Sequence, residues 1–243
     1  MQGIDVLAIG AHPDDVEMSA GGSVAKLVCE GKRVVIVDCT QGEQSTRGTV
    51  TERMAEACEA AEILGVMKRE VLTMPDGAVG SSPDHVLDIV KVFRRYRPRI
   101  VLMPPAFERH PDHEAVHRLC RTAYFRSGLT KVMTTDESGA EQQPFRPASM
   151  FCFIQAYHQE ADFLVDVSDT HDIKMASIRA FRSQVHVPDA EQRDEPRTFI
   201  SDPAFMEMLE HRSRLFGSMI GVRHAEGFLR VEPLRINSIS SLL

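Results

Sequence analysis

The sequence is poor in cysteine and has no cysteine pair at a spacing typical of metal or redox motifs. Its five cysteines are scattered along the chain, and no two of them form a Cys-x-x-Cys pair. An odd number of isolated cysteines is typical of small buried side chains in a reducing compartment and argues against a disulfide framework. We therefore predict a cytoplasmic protein whose chemistry comes from other side chains.

Long hydrophobic runs and basic clusters are also missing. No apolar stretch approaches the ~20 residues that a membrane-spanning helix needs. A strand pattern already begins at position 4, so we expect no signal peptide. The 28 Lys and Arg residues are outnumbered by 35 Asp and Glu residues and form no long basic run that would bind nucleic acid. Neither a membrane nor a nucleic acid is an expected partner.

The chain does contain a regular alternation of strand and helix patterns. Its 243 residues, 43% of them hydrophobic, fit one domain over 1–243 with a large core. Alternating segments predict right-handed βαβ units, and so a Rossmann-like α/β fold with a mostly parallel sheet flanked by helices. The predicted strands are 4–10, 34–37, 71–74, 100–103, 150–156 and 163–167. The predicted helices are 19–30, 50–64, 83–97, 113–124, 173–184 and 203–217.

Two segments rich in histidine and aspartate follow apolar strands. The first strand runs directly into Ala11-His12-Pro13-Asp14-Asp15, and the fourth leads to His110-Pro111-Asp112-His113. Open α/β sheets bind ligands at the carboxyl ends of their strands, so we expect the two segments to meet there. One such side chain alone would usually be a cap or a turn former. Two similar segments at converging strand ends favour a shared site.

The residue types in these segments suit a catalytic metal ion. His12 and His113 would supply imidazole nitrogens, and one aspartate of the pair at 14–15 would supply an oxygen, leaving a fourth position for water. The other aspartate would then act as general base toward that water. His110, as an imidazolium, would stabilise an oxyanion, with Asp112 orienting it or raising its pKa. The pattern indicates a metal-dependent hydrolase that uses Zn²⁺, although the same ligands accept other divalent ions.

Three other interpretations stay open. A nucleotide-binding Rossmann site needs Gly-x-Gly-x-x-Gly after the first strand, but this chain has Pro13 there, which removes a backbone donor. His113-Glu114-x-x-His117 matches the zincin metallopeptidase pattern, in which both histidines bind zinc and the glutamate is the base. We expect Pro111 to break the helix that a zincin needs, and His117 to lie on an outer helical face. The third interpretation is a sugar- or nucleotide-binding protein with a structural metal, which a closed four-ligand site would indicate.

The two segments resemble the LmbE-like or PIG-L family of zinc-dependent N-acetylglucosamine deacetylases, whose fold is Rossmann-like. The likeness extends over most of the chain. It includes Glu43, Arg53 and the segments 46–49, 60–65, 183–184 and 223–228. Within the family, the chain is most similar to the subgroup that deacetylates N-acetylglucosaminyl-malate in bacillithiol synthesis. The resemblance therefore implies a small amino-sugar conjugate as substrate.

The resemblance also assigns roles to individual residues. The zinc ligands of the family match His12, Asp15 and His113. The general base matches Asp14, the charged imidazole at the oxyanion matches His110, and an arginine that contacts substrate matches Arg53. Bacterial members of the family often form hexamers, so a homo-oligomer is expected.

Two further expectations concern substrate recognition. Many relatives have Tyr-Ala-Glu near the C-terminus, where this chain has His224-Ala225-Glu226, and no tyrosine of the chain matches the mobile tyrosine that some relatives use near the zinc. We expect the loops at 38–48, 127–147 and 185–202 to recognise the part of the substrate beyond the sugar.

Overall fold

Strands and helices alternate along the chain, as their sequence patterns predict. The computed structural model describes residues 3–188, 194–234, 236 and 238, and the elements below are those within these residues. The strands are β1 (Val6–Gly10), β2 (Val34–Asp38), β3 (Lys68–Val71), β4 (Ile100–Met103), β5 (Ser149–Phe153), β6 (Phe163–Asp166) and β7 (Ala225–Arg230). The helices are α1 (Asp15–Cys29), α2 (Val50–Leu64), α3 (Asp84–Tyr96), α4 (Pro111–Ser127), α5 (His171–Arg179) and α6 (Pro203–Ile220). No helix within the described residues has the length and apolarity that crossing a membrane requires.

The seven strands form one sheet in the order β3-β2-β1-β4-β5-β7-β6. β1 to β5 pair in parallel, and β7 runs antiparallel between β5 and β6. The strand order reverses between β1 and β4, because the chain first builds the sheet toward β3 and then crosses over to β4. The expected α/β fold with a mostly parallel sheet is confirmed. Ligands bind such sheets beside the point of reversal, at the carboxyl ends of β1 and β4.

The centre of the sheet is buried on both faces. Leu7 and Ile9 of β1 belong to one apolar core, which α3 and α4 complete on one side of the sheet. Val6 and Ala8 belong to a second core on the other side, which α1 covers. Alternate side chains of a strand point to opposite faces of the sheet. Because helices cover both faces, β1 is buried on both sides and all of its side chains can be apolar. The two strands that precede the histidine segments are therefore rigidly held.

Several element boundaries differ from the sequence prediction. α1 begins at Asp15 rather than at 19, and α5 ends at Arg179 rather than at 184. β3 lies at 68–71 rather than 71–74, because its polar residues still suit a strand at the edge of the sheet. The sequence pattern did not predict β7, a strand that carries the buried Glu226. The negative charge of Glu226 is compensated by Lys174 of α5, whose Nζ lies 2.6 Å from the Glu226 carboxylate.

Candidate active site

The two histidine segments lie side by side at the carboxyl edge of the sheet. β1 pairs in parallel with β4, so the chain that leaves each strand emerges at the same place. His110 is the N-cap residue of α4, and Pro111 occupies its first turn. The ring centroids of His12 and His110 are 4.6 Å apart, and those of His12 and His113 are 5.4 Å apart. The predicted convergence of the two segments is confirmed.

His12, Asp15 and His113 form a compact set of donor atoms. Oδ1 of Asp15 lies 3.1 Å from Nε2 of His113, and Oδ2 lies 3.6 Å from Nδ1 of His12. Oδ2 also accepts the backbone N–H of Ala11, and Nε2 of Gln155 donates to Oδ1 at 2.8 Å. Burial opposes ionisation of Asp15, but the two imidazoles hold its pKa well below its usual range. Two imidazole nitrogens and one carboxylate are a donor set that fits Zn²⁺ or another divalent ion.

The other ring nitrogen of His12 faces two further carboxylates. Its Nε2 lies 3.1 Å from Oδ1 of Asp76 and 3.4 Å from Oδ2 of Asp112. The Asp112 carboxylate also accepts the backbone N–H of Gly77 at 2.7 Å. Carboxylates on the far nitrogen of a histidine commonly support metal sites, because they fix the tautomer and leave the near nitrogen free to bind. The Asp112 carboxylate thus contacts His12, and the orientation of His110 that we expected from Asp112 comes from its backbone N–H.

Asp76 is a site residue that the sequence patterns did not single out. The stretch Pro75-Asp76-Gly77 has the residue types of a turn, but its position after a strand of the parallel sheet is a signal of the same kind as that of His12. Oδ2 of Asp76 accepts the backbone N–H of Gln44 at 2.9 Å, and its own N–H donates to Glu43. Asp76 thus ties the loop at 38–48 to the histidine cluster.

Asp14 has an unusual backbone conformation and a different side-chain partner from Asp15. Asp14 has a φ of 116°, a left-handed conformation that is strained for a residue other than glycine. Its Oδ2 accepts a hydrogen bond from Nη2 of Arg53 at 3.0 Å, and the same guanidinium donates to the carbonyl of Pro13. Burial raises the pKa of Asp14 to about 7, against the opposing effect of Arg53. The geometry thereby distinguishes the two adjacent aspartates, which the sequence alone could not do.

His110 contacts Asp112 through the backbone rather than through the carboxylate. The N–H of Asp112 donates to Nδ1 of His110 at 3.2 Å, so Nε2 is the nitrogen left to carry a proton. Burial and the neighbouring His12 and His113 hold the pKa of His110 below its usual range, and Asp112 offsets only part of this. A lowered pKa favours the neutral ring of His110, whereas the sequence pattern predicted the charged imidazolium. A neutral ring with Nε2–H still donates a hydrogen bond to an oxyanion.

The zincin interpretation fails because His113 and His117 do not converge. His117 is buried, and its Nδ1 lies 3.0 Å from the carbonyl oxygen of Pro104, away from Asp15. Two expectations here are wrong: His117 does not lie on an outer face, and Pro111 begins α4 instead of breaking it. Proline is compatible with the first helical turn because no intrahelical donor is needed there.

The site opens into a cavity of about 410 Å³. Asp14, Arg53 and His110 line it beside the metal donors. Loops at 38–48 and 194–202 contribute further lining residues, namely Gln44, Ser45, Thr46, Thr198, Phe199 and Ile200. Residues 189–193 of the third expected loop lie outside the described residues. Among the described residues, none of the loop at 127–147 and no tyrosine lines the cavity, so that loop's expected role is wrong.

Comparison with known proteins assigns the chain to a family. A model of the PIG-L family, described as GlcNAc-PI de-N-acetylase, matches residues 7–124. A diacetylchitobiose deacetylase from Thermococcus kodakarensis is 30% identical over 233 residues, which cover 91% of this chain and 81% of that protein. The chain belongs to the PIG-L family. The resemblance that the histidine segments suggested is thus confirmed.

Other PIG-L relatives match the chain over most of its length. A conserved protein from Thermus thermophilus, known from its crystal structure, is 33% identical with a TM-score of 0.83, over 97% of this chain and 98% of that one. A 1D-myo-inositol 2-acetamido-2-deoxy-alpha-D-glucopyranoside deacetylase from Saccharomonospora viridis is 27% identical, over 75% of this chain and 85% of that protein. The two relatives of named activity are both deacetylases, which confirms that the chain is related to enzymes. Neither name contains the malate conjugate expected from the sequence.

Proposed function

We propose that this protein is a metal-dependent N-deacetylase that hydrolyses the acetamido group of an N-acetylglucosamine derivative. The observation that carries the proposal is that two adjacent carboxylates have different partners. Asp15 faces the imidazoles of His12 and His113, while Asp14 lines the cavity beside them and is paired with Arg53. We infer that Asp15 binds a metal and that Asp14 moves a proton, the two tasks that metal-assisted hydrolysis of an amide needs.

Nδ1 of His12, the carboxylate of Asp15 and Nε2 of His113 would hold the ion, which we propose to be Zn²⁺. When bound, such an ion polarises a carbonyl and lowers the pKa of a water molecule toward ~7. The Nε2–H of His12 would donate to Asp76, with the Asp112 carboxylate 3.4 Å away, and these contacts would keep the Nδ1 lone pair directed at the ion. Because Asp15 accepts from Gln155 and from the backbone, its orientation does not depend on the ion.

The remaining residues would carry the proton and stabilise charge. Asp14 would accept a proton from the attacking water and deliver it to the departing amine. Nε2–H of His110 would donate to the oxygen of the acetyl group as negative charge develops there. Arg53 fixes Asp14 through Nη2, and its Nη1, which has no hydrogen-bond partner among the described residues, would contact a substrate hydroxyl or carboxylate.

Our finer proposal for the substrate is N-acetylglucosaminyl-malate, from the resemblance of the sequence to that subgroup. Diacetylchitobiose and the inositol conjugate are the alternatives that the names of the relatives supply. The proposal treats 1–243 as one catalytic domain, and a homo-oligomer and a cytoplasmic location stay predictions.

Acetate release from these three conjugates and from plain N-acetylglucosamine tests the proposal. We expect the zinc-reconstituted protein to hydrolyse at least one conjugate, and we expect a chelator to abolish this release. Absence of release from all four compounds, with one zinc bound per chain, would refute the deacetylase. That result, with His110 as a fourth ligand, would favour the sugar-binding protein with a structural metal. His110 is close enough for this, because ring nitrogens of the three site histidines lie within 4.8 Å of one another.

A further inference from the structure

Arg212 of α6 lines the cavity with most of its guanidinium unused. Its Nη2 donates to the carbonyl oxygen of Met18 at 2.9 Å. Within the described residues, no carboxylate lies within ion-pairing distance of this side chain. Burial lowers the pKa of Arg212 to about 10, so the guanidinium still carries its charge at neutral pH. A cation of this kind is costly to bury unless something else compensates it.

Arg212 is half-buried, and other arginines of the protein that are buried or half-buried are compensated. Arg53 is paired with Asp14, and Arg69 is paired with both Glu17 and Asp38. Arg94 has no ion pair among the described residues, but its guanidinium donates to four oxygens: those of Ser127, Leu129 and Val132, and the hydroxyl of Thr134. Arg212 differs from all of these, because a single carbonyl is the acceptor that the described residues offer it.

The carboxylates whose charge acts on Arg212 have other partners. Glu226 and Glu108 are the two that favour its charged form. Glu226 accepts from Nζ of Lys174 and from two backbone N–H groups of α1, and Glu108 accepts from the backbone N–H groups of Arg109 and Ala156. The carboxylates that line the cavity also have partners at the metal site. The α6 side of the cavity is therefore left positive.

A second arginine reinforces this charge at the rim of the cavity. Arg109 is exposed, and its guanidinium lies 4.6 Å from the ring centroid of Phe199. No acidic side chain in the described part of the chain pairs with it. Between the rim and Arg212, the wall is apolar and is formed by Phe205, Met208 and Leu209. An apolar wall weakens screening by water and so strengthens any ion pair formed there.

We propose that Arg212, assisted by Arg109, binds an anionic group on the part of the substrate beyond the acetamido sugar. The chemistry of this group is a carboxylate or a phosphate, because a guanidinium binds either through two parallel hydrogen bonds. The inference rests on the proposed function, and it makes Arg212 a determinant of specificity rather than of the chemical step. Neutral conjugates are then poor substrates compared with charged ones of the same size.

Matched pairs of substrates test the inference. One pair is the malate conjugate of N-acetylglucosamine and its dimethyl ester; the other is N-acetylglucosamine 1-phosphate and the methyl glycoside. We expect the wild type to favour the charged member of at least one pair by about 10- to 100-fold in kcat/KM, mainly through KM. The pair in which the charged member is favoured shows whether the anionic group is a carboxylate or a phosphate. In Arg212→Gln we expect the preference to fall at least tenfold, while Arg212→Lys retains part of it.

Arg214→Gln is the matched control, because it removes the same charge from the exposed face of the same helix. Arg109→Gln, at the rim, should weaken the preference less than Arg212→Gln and covers the case in which that variant fails to fold. Equal turnover of both members of each pair by the wild type would overturn the inference while leaving the deacetylase intact. If none of the compounds is hydrolysed, the inference is tested by measuring the binding of the same paired compounds to the protein by calorimetry. Selective binding of the charged members that Arg212→Gln abolishes would support the inference, and equal binding or none would overturn it.

Discussion

Two clusters among the described residues each combine two histidines with one carboxylate, and they differ in their surroundings. The first is formed by His12, Asp15 and His113 and the second by His171, Glu210 and His224. In the second, Glu210 accepts from Nε2 of His171 at 2.6 Å and lies 3.1 Å from Nε2 of His224. Each cluster therefore offers two imidazoles and one carboxylate, and the donor atoms of the second lie within 4.8 Å of one another.

The ring orientations separate the two clusters. In the second, the imidazoles of His171 and His224 stack at 3.8 Å with an interplanar angle of 8°. Lone pairs of parallel stacked rings lie in parallel planes and do not converge on a single ion. The rings of His12 and His113 are tilted by 57°, which allows their lone pairs to converge. Nε of Arg214 also lies 2.6 Å from the Glu210 carboxylate, where it already supplies a positive charge.

The surroundings separate them further. The first cluster borders the cavity and has two carboxylates behind His12, whereas no member of the second cluster is among the residues that line this cavity. A donor set alone is thus insufficient evidence for a metal site. Ring orientation, supporting carboxylates and access for a substrate are what favour the first cluster, and the second has the character of a structural contact between α5, α6 and β7.

The largest expected effect comes from the proton-carrying carboxylate beside the first cluster. Asp14→Asn should lower kcat about 10²- to 10⁴-fold, because the amide cannot accept the proton of the attacking water. The metal content should stay near the wild-type value, since Asp14 is not among the proposed ligands. Acetate release and elemental analysis of the same sample measure both. Near-normal turnover would remove Asp14 from the proposed role, and Glu210→Gln, which changes the second cluster, serves as the control with unchanged turnover.

A smaller effect is expected from the carboxylates behind His12. Asp112→Asn and Asp76→Asn should each weaken metal binding about 10- to 100-fold, because each removes a charged acceptor from Nε2 of His12. Competition with a chelator of known affinity measures the change. If neither variant alters the affinity, these carboxylates do not support the metal, and the contrast with the second cluster loses one of its grounds.

The smallest effect concerns the stability that the second cluster supplies. Burial opposes ionisation of Glu210, but hydrogen bonds from Arg214, His171 and His224 hold its pKa at about 2, below the ordinary value of 4.5. The ionised carboxylate therefore stabilises the fold above pH 4.5, and this contribution is lost as the pH falls toward 2. Wild type should exceed Glu210→Gln by about 1 kcal/mol in free energy of unfolding at pH 5, and by less at pH 3.

Urea unfolding at the two pH values measures that difference. A difference that grows on acidification would contradict the assigned ion pair. The same samples report whether zinc raises the stability of Glu210→Gln as much as that of the wild type, as we expect if the second cluster holds no metal.

Much of the fold follows from local sequence patterns because those patterns report burial. The apolar strands β1, β2 and β4 were predicted at their observed places, and the capping box of Thr49 and Glu52 forms at the start of α2. β7 was not predicted, since its buried Glu226 is compensated by Lys174, which is 52 residues away in the chain. A charge that is neutralised by a distant partner gives no local signal of burial.

The same distinction applies to the site. The segment at 12–15 follows β1 and the segment at 110–113 lies between β4 and α4, so their positions in the sequence predict their meeting. The contact of the Asp112 carboxylate with His12 was not predicted, because which carboxylate faces which imidazole depends on how the α4 terminus packs against the turn at Gly77. Arg212 lies on a long helix with no motif around it, and only its place in the cavity marks it.

Anomalous diffraction from crystals grown with Zn²⁺ tests the central claim most directly. The account predicts a strong zinc peak between His12, Asp15 and His113 and none at His171, Glu210 and His224. A peak at the second cluster with none at the first would contradict it.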